Sequence, residues 1–471
     1  MRKFSLALLA DDTPIEAEVP AASDEVVEEI AQDPAADIAA AGETAATAEA
    51  SVDTIDGADA DAEALDQVAE LVDTANQEGG LDPIAAESIK ILTNRIRANL
   101  GMEPITGIAV ENFKSKQTRV KAGVLAKESI QSTAKAIWDY IVKLWDKLVA
   151  WLKKWYNNFF DSLTKLKNRA DKVVKAAENK EGDKFEGGDE ARKLAAPAYA
   201  QHLVLSKADV GTARVATTRE IAVHWDDVSK ANEADTSADI ADVILSDAQG
   251  LLEKVNDAAK FKESAKAIFE AMKKAGTGAP LKGSNFDIED GFEIKAFGGN
   301  NGPKLGEKGV FIKYPKGMDG DFARALGKVR IVVMGDTSRG NATNLDMVAG
   351  DPKDIKYIAE KIRDTAEMLL RERAKLEKVA TSVKSFLDAT KRVAAKYKDE
   401  AAERAGQVRG VASATHSFIT GAIVAANQIT LTTGHASLTY CADSLAALGK
   451  TEKEKPEDSD ALKAKKKDGR A

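Results

Sequence analysis

Between Ile137 and Phe160 the chain reads IWDYIVKLWDKLVAWLKKWYNNFF, and four of the protein's five tryptophans fall within it: Trp138, Trp145, Trp151 and Trp155. Trp138, Ile141, Trp145, Leu148, Leu152, Trp155 and Phe159 recur at spacings of three and four, the seam of a packed or coiled helix. Ile137, Leu144 and Trp151 widen this stripe on one side; Val142, Val149, Tyr156 and Leu163 widen it on the other. Lys143, Lys147, Lys153, Lys154, Lys165 and Lys167 take much of the remaining surface. Such a helix is too apolar to stand alone in water and too charged to span a bilayer. Two readings follow from it. One is a core or helix-pairing element. The other is a helix lying in a membrane surface, aromatic side down with its lysines at the headgroups.

Charge divides the rest of the chain. The net charge of −9 over 471 residues averages two opposite parts. Residues 1–111 hold 25 of the 76 acidic residues but only five of the 67 basic ones, a net −20; residues 112–471 keep 51 and 62, a net +11. No basic residue stands between Asp11 and Ile89. An acidic leader joined to a basic body suggests a mask, held in place until the body meets its partner. Lysines spread along helices favour sequence-independent neutralisation of phosphate over base recognition.

The order of elements follows from periodicity and turn residues. Met1 to Ala10 has two basic residues and a short apolar run, but the run meets Asp11-Asp12 without a small-x-small cleavage site, which reads against a secretory signal. Residues 11–80 are acidic, alanine-rich and almost free of aromatics, so they are expected to be mostly disordered. A helix is expected near 83–100, ending at Gly101. Residues 112–280 read as a helical region carrying the tryptophan helix, with a loop at Asn179–Asp189 and breaks near Asp235–Ala238 and Gly250.

Residues 281–340 change character. Phe286–Ile288, Phe292–Phe297, Val310–Tyr314 and Val329–Met334 are short β-like runs between Gly, Asn and Pro turns, a small sheet inserted in a mainly α protein. Residues 350–448 return to helix. Ile355, Ile358, Ile362, Leu369, Leu376, Val379, Val383, Phe386, Val393 and Tyr397 hold one heptad register, which predicts a long helix in a bundle or coiled coil. Gly410–Ala442 carries no charge and is rich in Ser, Thr, Gly and Ala, so it reads as a buried helical segment. Residues 449–471 form a charged tail, expected to be disordered, with a basic end at Lys463, Lys465, Lys466, Lys467 and Arg470.

Constellations that carry chemistry are scarce. One cysteine, Cys441, excludes an intramolecular disulfide, and four histidines give little from which to build a metal site. His224-Trp225-Asp226-Asp227 offers a nitrogen and two carboxylates, but adjacent residues of a helix point apart, so a half-buried His–Trp pair is expected. His416, His435 and Cys441 share an uncharged helix and read as satisfied polar residues of a bundle rather than a nucleophile pair. The glycine-rich run Gly298–Gly306 lacks a Gly-Lys-Ser/Thr ending and a following helix, so it reads as a hairpin loop. No catalytic residue, cofactor or metal is expected.

At Ala109-Val110-Glu111-Asn112-Phe113 a pattern begins that continues through Ile137-Trp138, Ile141, Trp145, Lys147-Leu148 and Leu163-Thr164-Lys165-Leu166-Lys167-Asn168-Arg169-Ala170. It resembles the internal head proteins, or virion structural proteins, of large tailed bacteriophages, best over 108–170 and more loosely over Lys391–Leu448. The resemblance implies a structural role inside the phage head, with no active site. It also implies an acidic propeptide removed by a prohead protease that cuts after glutamate in small-or-apolar, any, Glu motifs. Ala109, Val110, Glu111 and Asn112 fit that motif where the charge changes sign; Ala85-Ala86-Glu87, Thr47-Ala48-Glu49 and Ala401-Ala402-Glu403 fit it elsewhere. The implied partners are the protease, capsid or other head proteins and packaged DNA, with self-association possible through the helices. The alternative is a membrane-active or ejected virion protein that uses the tryptophan helix.

Overall fold

A computed structural model describes residues 50–449 except 51–53, 55–56, 59, 63, 106–112, 114, 184, 186–191, 206–213, 235–236, 255–256, 278–279, 281–287, 298–304, 306–307, 317–324, 336–344 and 397–401. It is a mainly α structure with a few small antiparallel sheets.

The first described elements belong to the acidic leader. Helix α1 (64–78) buries Leu65 and Val72, so the stretch expected to be disordered to residue 80 gives way to helix well before that point. Helix α2 (Pro83–Asn99) starts as its sequence dictates: Asp82 accepts the Ala85 N–H, Pro83 occupies the first turn, and Gly101 lies at φ +68 beyond the end. Helix α3 (Lys116–Asn179) carries the tryptophan stretch and runs 64 residues, about 96 Å at 1.5 Å per residue. Ser115 caps it, with its hydroxyl on the Thr118 N–H and the Thr118 hydroxyl returned to Ser115.

Among the described residues between 193 and 215 the chain is not the amphipathic α-helix expected there. Two-residue strands β1 (Lys193–Leu194), β2 (Val204–Leu205) and β3 (Arg214–Val215) flank a 3-10 turn at Ala198–Leu203, and Pro197 stands where a longer helix would have to run. Helices α4 (Thr218–Ala234), α5 (Ser237–Leu252) and α6 (Ala258–Lys274) follow. The break expected near 235 is present, whereas Gly250 is accommodated within α5 and the chain turns after Leu252, before Asp257 caps α6.

The sheet expected over 281–340 is four-stranded and antiparallel, in the order β4 (Gly276–Thr277), β5 (Phe292–Phe297), β6 (Lys308–Pro315), β7 (Arg330–Gly335). Registers such as Ala296 with Phe311 and Phe311 with Val332 place alternate residues on alternate faces. Val310, Ile312 and Tyr314 face the main core, while Ile294, Ala296 and Phe311 form a small cluster on the far face. Most of Gly298–Gly306 lies outside the described residues; it joins two adjacent antiparallel strands, as a hairpin loop does. Phe286 and Asp287 lie outside the described residues too; the strand paired with β5 on its other side is Gly276–Thr277.

After β8 (Met347–Val348), which pairs with β1, the long heptad register is two helices, α7 (Pro352–Arg371) and α8 (Arg373–Lys396). The break falls at Glu372, midway between Leu369 and Leu376, a seam position that the apolar pattern leaves empty. A carboxylate cannot be left in an apolar seam, and Glu372 instead meets Lys375 at 2.9 Å. Tyr397 lies outside the described residues.

Helix α9 (Ala402–Gly449) is the hub. It packs against α3, α5, α7, α8, the 3-10 turn, β6 and β7. Residues 411–420 and 435–442 are buried without a break, so all faces of the helix meet protein. Small residues make that possible: a Cβ at Gly421 would collide with Ile331, and one at Gly434 would press on Leu166 and Trp225. Buried residues from α1 to α9 join in a single hydrophobic core.

Candidate interaction surfaces

The seam predicted on α3 is buried. Ile141, Trp145, Leu152, Trp155 and Phe159 are each at most 3% exposed, and Trp138 is half-buried. Leu148 lies on the same helix, but its side chain is outside the described residues. Trp138 meets Trp145 edge-on at 5.4 Å; Trp155 stacks on Phe159 at 5.0 Å with 12° between the rings. The Arg373 guanidinium of α8 lies 5.2 Å from the centre of the Phe160 ring. With this face turned inward, an in-plane membrane helix would have to unpack the core to present its aromatics. Among the described residues, no helix is long and apolar enough to cross a membrane.

Several polar side chains of α9 are satisfied in two ways, whereas Ser413 Oγ, Thr415 Oγ1 and Gln428 Nε2 are buried without a partner among the described residues. Some fold back on their own helix: Thr433 Oγ1 donates to the Ile429 carbonyl at 2.6 Å, Thr439 Oγ1 to that of His435 at 2.8 Å, and Asn427 Nδ2 to that of Ile423 at 2.8 Å. Others tie the surrounding elements to the hub. Trp225 Nε1 donates to Ser437 Oγ at 3.0 Å, Arg169 Nη2 to Thr439 Oγ1 at 2.8 Å, and the Gly350 N–H to Ser444 Oγ at 3.1 Å. Tyr440 OH donates to the Val348 carbonyl at 2.9 Å and bonds Thr218 as well.

The chemical candidates do not assemble into a site. Burial pushes the Cys441 thiol up, the opposite of what a nucleophile needs. Burial lowers the His416 pKa to about 4, and its Nδ1 faces Thr420 Oγ1 at 3.2 Å. His224 sits edge-on to Trp225 at 5.5 Å, whereas Asp226 turns to Tyr357 (2.8 Å) and Lys361 (3.2 Å) on α7. Among the described residues, no group of three or more His, Cys, Asp or Glu could hold a metal ion.

Ala109, Val110, Glu111 and Asn112 lie outside the described residues. Their surroundings are held on both sides: Asn94 accepts the Ile105 N–H at 2.6 Å and donates to the Ile105 carbonyl at 3.2 Å, and Phe113 packs on the core. Upstream, the leader is seated on α3. Lys127 Nζ meets both Asp73 oxygens at 2.6 and 2.9 Å, and the Leu81 N–H donates to the Arg119 carbonyl at 3.2 Å. Gly80, at φ +94, lets the α1–α2 corner lie on the α3 backbone, where a Cβ would strike Arg119.

Basic residues elsewhere are largely spent on neighbouring helices. Lys356–Glu178, Lys361–Asp226, Lys167–Glu367, Lys375–Asp239, Lys378–Asp242 and Lys391–Asp146 all bridge two helices within 3.3 Å. The outward face of α3 differs: Lys135, Lys143, Lys147, Lys153, Lys154 and Lys175 are exposed and meet no carboxylate among the described residues. Sequence reasoning noted four of these lysines as helix surface without setting them apart from the paired ones, because pairing depends on which helices become neighbours.

The described residues form a helical body whose one continuous core is gathered around a hub helix. A family model described as phiKZ-like phage internal head proteins matches residues 21–449, and the chain belongs to that family. It is a structural protein of the phage interior, located inside the head among other head components. Comparison with curated proteins and with solved structures returned no match.

Proposed function

We propose that the chain is made as a precursor whose acidic leader is cut after Glu111 by a prohead protease, leaving a basic body packed with DNA inside the head. The observation that carries this reading is the inversion of charge, from net −20 over 1–111 to net +11 beyond, at a Glu motif between two helices. The family match starts at residue 21, so most of the leader belongs to what the family shares and is no incidental extension. The competing motif Ala85-Ala86-Glu87 lies within α2 with Ala86 buried, a poor substrate for a protease that needs an accessible, extended segment.

In this reading the leader does two things. Its α1–α2 corner covers the first turns of α3 and pairs Asp73 with Lys127, while its acidic charge keeps the body from phosphate during assembly. Intact-mass and N-terminal peptide analysis of the protein from phage heads tests the proposal. A chain starting at Asn112 is the expected result; one starting at Met1 would remove the propeptide from the account.

A further inference from the structure

We infer that the exposed face of α3, from Lys135 to Lys175, is the surface on which the protein meets the phosphate backbone of duplex DNA. The inference rests on the reading that the body lies against packaged DNA and names the residues that would do so.

The face is defined by register. At 100° per residue, Lys135, Lys143, Lys147, Lys153, Lys154, Lys165, Lys172 and Lys175 fall within an arc of about 120°, opposite the buried tryptophan seam. All eight are exposed. Four acids share the arc, Asp139, Asp146, Asp161 and Asp171; Lys391 engages Asp146 at 2.7 Å, and Arg363 lies 4.0 Å from Asp171. Asn157, Asn158 and Asn168 add neutral donors suited to phosphate oxygens. At 1.5 Å per residue the ridge is about 60 Å long, close to two turns of a duplex.

The composition of the face decides between a nucleic acid and a protein as its occupant. Among the residues whose side chains are described, the exposed large apolar ones are Leu71, Ile84, Ile91, Val124, Val223, Val243, Val348 and Tyr357, and none of these lies between 135 and 175. Protein interfaces are built around an apolar or aromatic centre and are depleted in lysine. A lysine ridge without such a centre offers little to a capsid wall and much to a polyanion. Lysine acts on phosphate as a point charge that reads no base, which suits packaged DNA of any sequence. The ridge also begins just beyond the part of α3 that α1 and α2 cover.

Lysine footprinting tests the inference on protein purified from phage heads. Acetylation is followed by peptide mapping, with and without an arbitrary duplex of about 20 base pairs, long enough to span the ridge at 3.4 Å per pair. The expected result is a severalfold slowing at Lys143, Lys147, Lys153 and Lys154, lost as salt rises, with little change at Lys356, Lys361 or Lys378. Protection confined to the tail lysines Lys463–Lys467 would overturn the ridge and leave DNA binding standing. No protection at any lysine would overturn both. In intact heads, crosslinks from ridge lysines to capsid peptides instead of DNA would assign the face to a protein partner and sink the inference. Lys143→Glu, Lys147→Glu and Lys154→Glu combined in the full chain give a second readout. All three side chains are exposed, so the fold is retained, and the slope of log affinity against log salt should weaken by about two to three.

Discussion

At the scale of residues, tryptophans that look alike in the sequence have different environments. Trp145 is fully buried, and its indole N–H has no acceptor among the described residues; Trp225 is as deeply buried but donates to Ser437. Trp145→Ala should cost about 3–5 kcal/mol for the volume lost, whereas Trp145→Phe should cost far less, since it also removes an orphan donor. Trp225→Phe should be the worse of the two phenylalanine variants, because it leaves the Ser437 hydroxyl without its partner. Urea denaturation of the three variants checks the order. His416 supplies a pH dependence. Its pKa is about 4 in the fold against about 6.5 in an unfolded chain, so the unfolded state binds the proton first as pH falls. Its contribution is complete above about pH 6.5, declines between 6.5 and 4, and is flat below that; the span is on the order of 3 kcal/mol. Denaturation midpoints at pH 7 and pH 5 should therefore differ more in the native chain than in His416→Gln.

At the scale of elements, the seam periodicity of α3 and the charge-free stretch of α9 were both readable, because each is a local pattern that only one kind of environment satisfies. The break at Glu372 was readable too, as a charge at a seam position, yet apolar residues on both sides suggested continuity. The leader was misjudged over 64–78. Its low aromatic content argued against a core of its own, but Leu65, Val72 and Leu81 join the one core that α3 also lines. Two consequences follow for the corner formed by α1 and α2. A specific protease site placed at 108–112 and cut in the folded protein should leave residues up to 111 co-eluting with the body on gel filtration, parting only in denaturant. Gly123→Leu should weaken that association, since any Cβ there overlaps Asn76 of α1. Separation of the native fragments on cutting would show that covalent continuity, not packing, holds the leader.

At the scale of the whole molecule, one core runs from α1 to α9 and includes the inner face of the sheet. Far-UV dichroism, which reports all helices, and tryptophan fluorescence, which reports α3 and α4, should therefore follow the same unfolding curve. Two separated transitions would mean that the segments divided by the sheet have cores of their own. Residue order alone determined the long α3 seam, the antiparallel hairpins, the uncharged hub and the reversal of charge near residue 111, since each is written in the spacing or composition of neighbouring residues. Only the tertiary structure decided that the tryptophan face points inward, that the leader folds onto α3, and that lysines such as Lys361 of α7 and Lys378 of α8 are paired while Lys143, Lys147, Lys153 and Lys154 of α3 meet no carboxylate among the described residues. Each of these depends on which helix faces meet, and burial and ion pairing belong to the meeting of surfaces, not to either sequence taken alone.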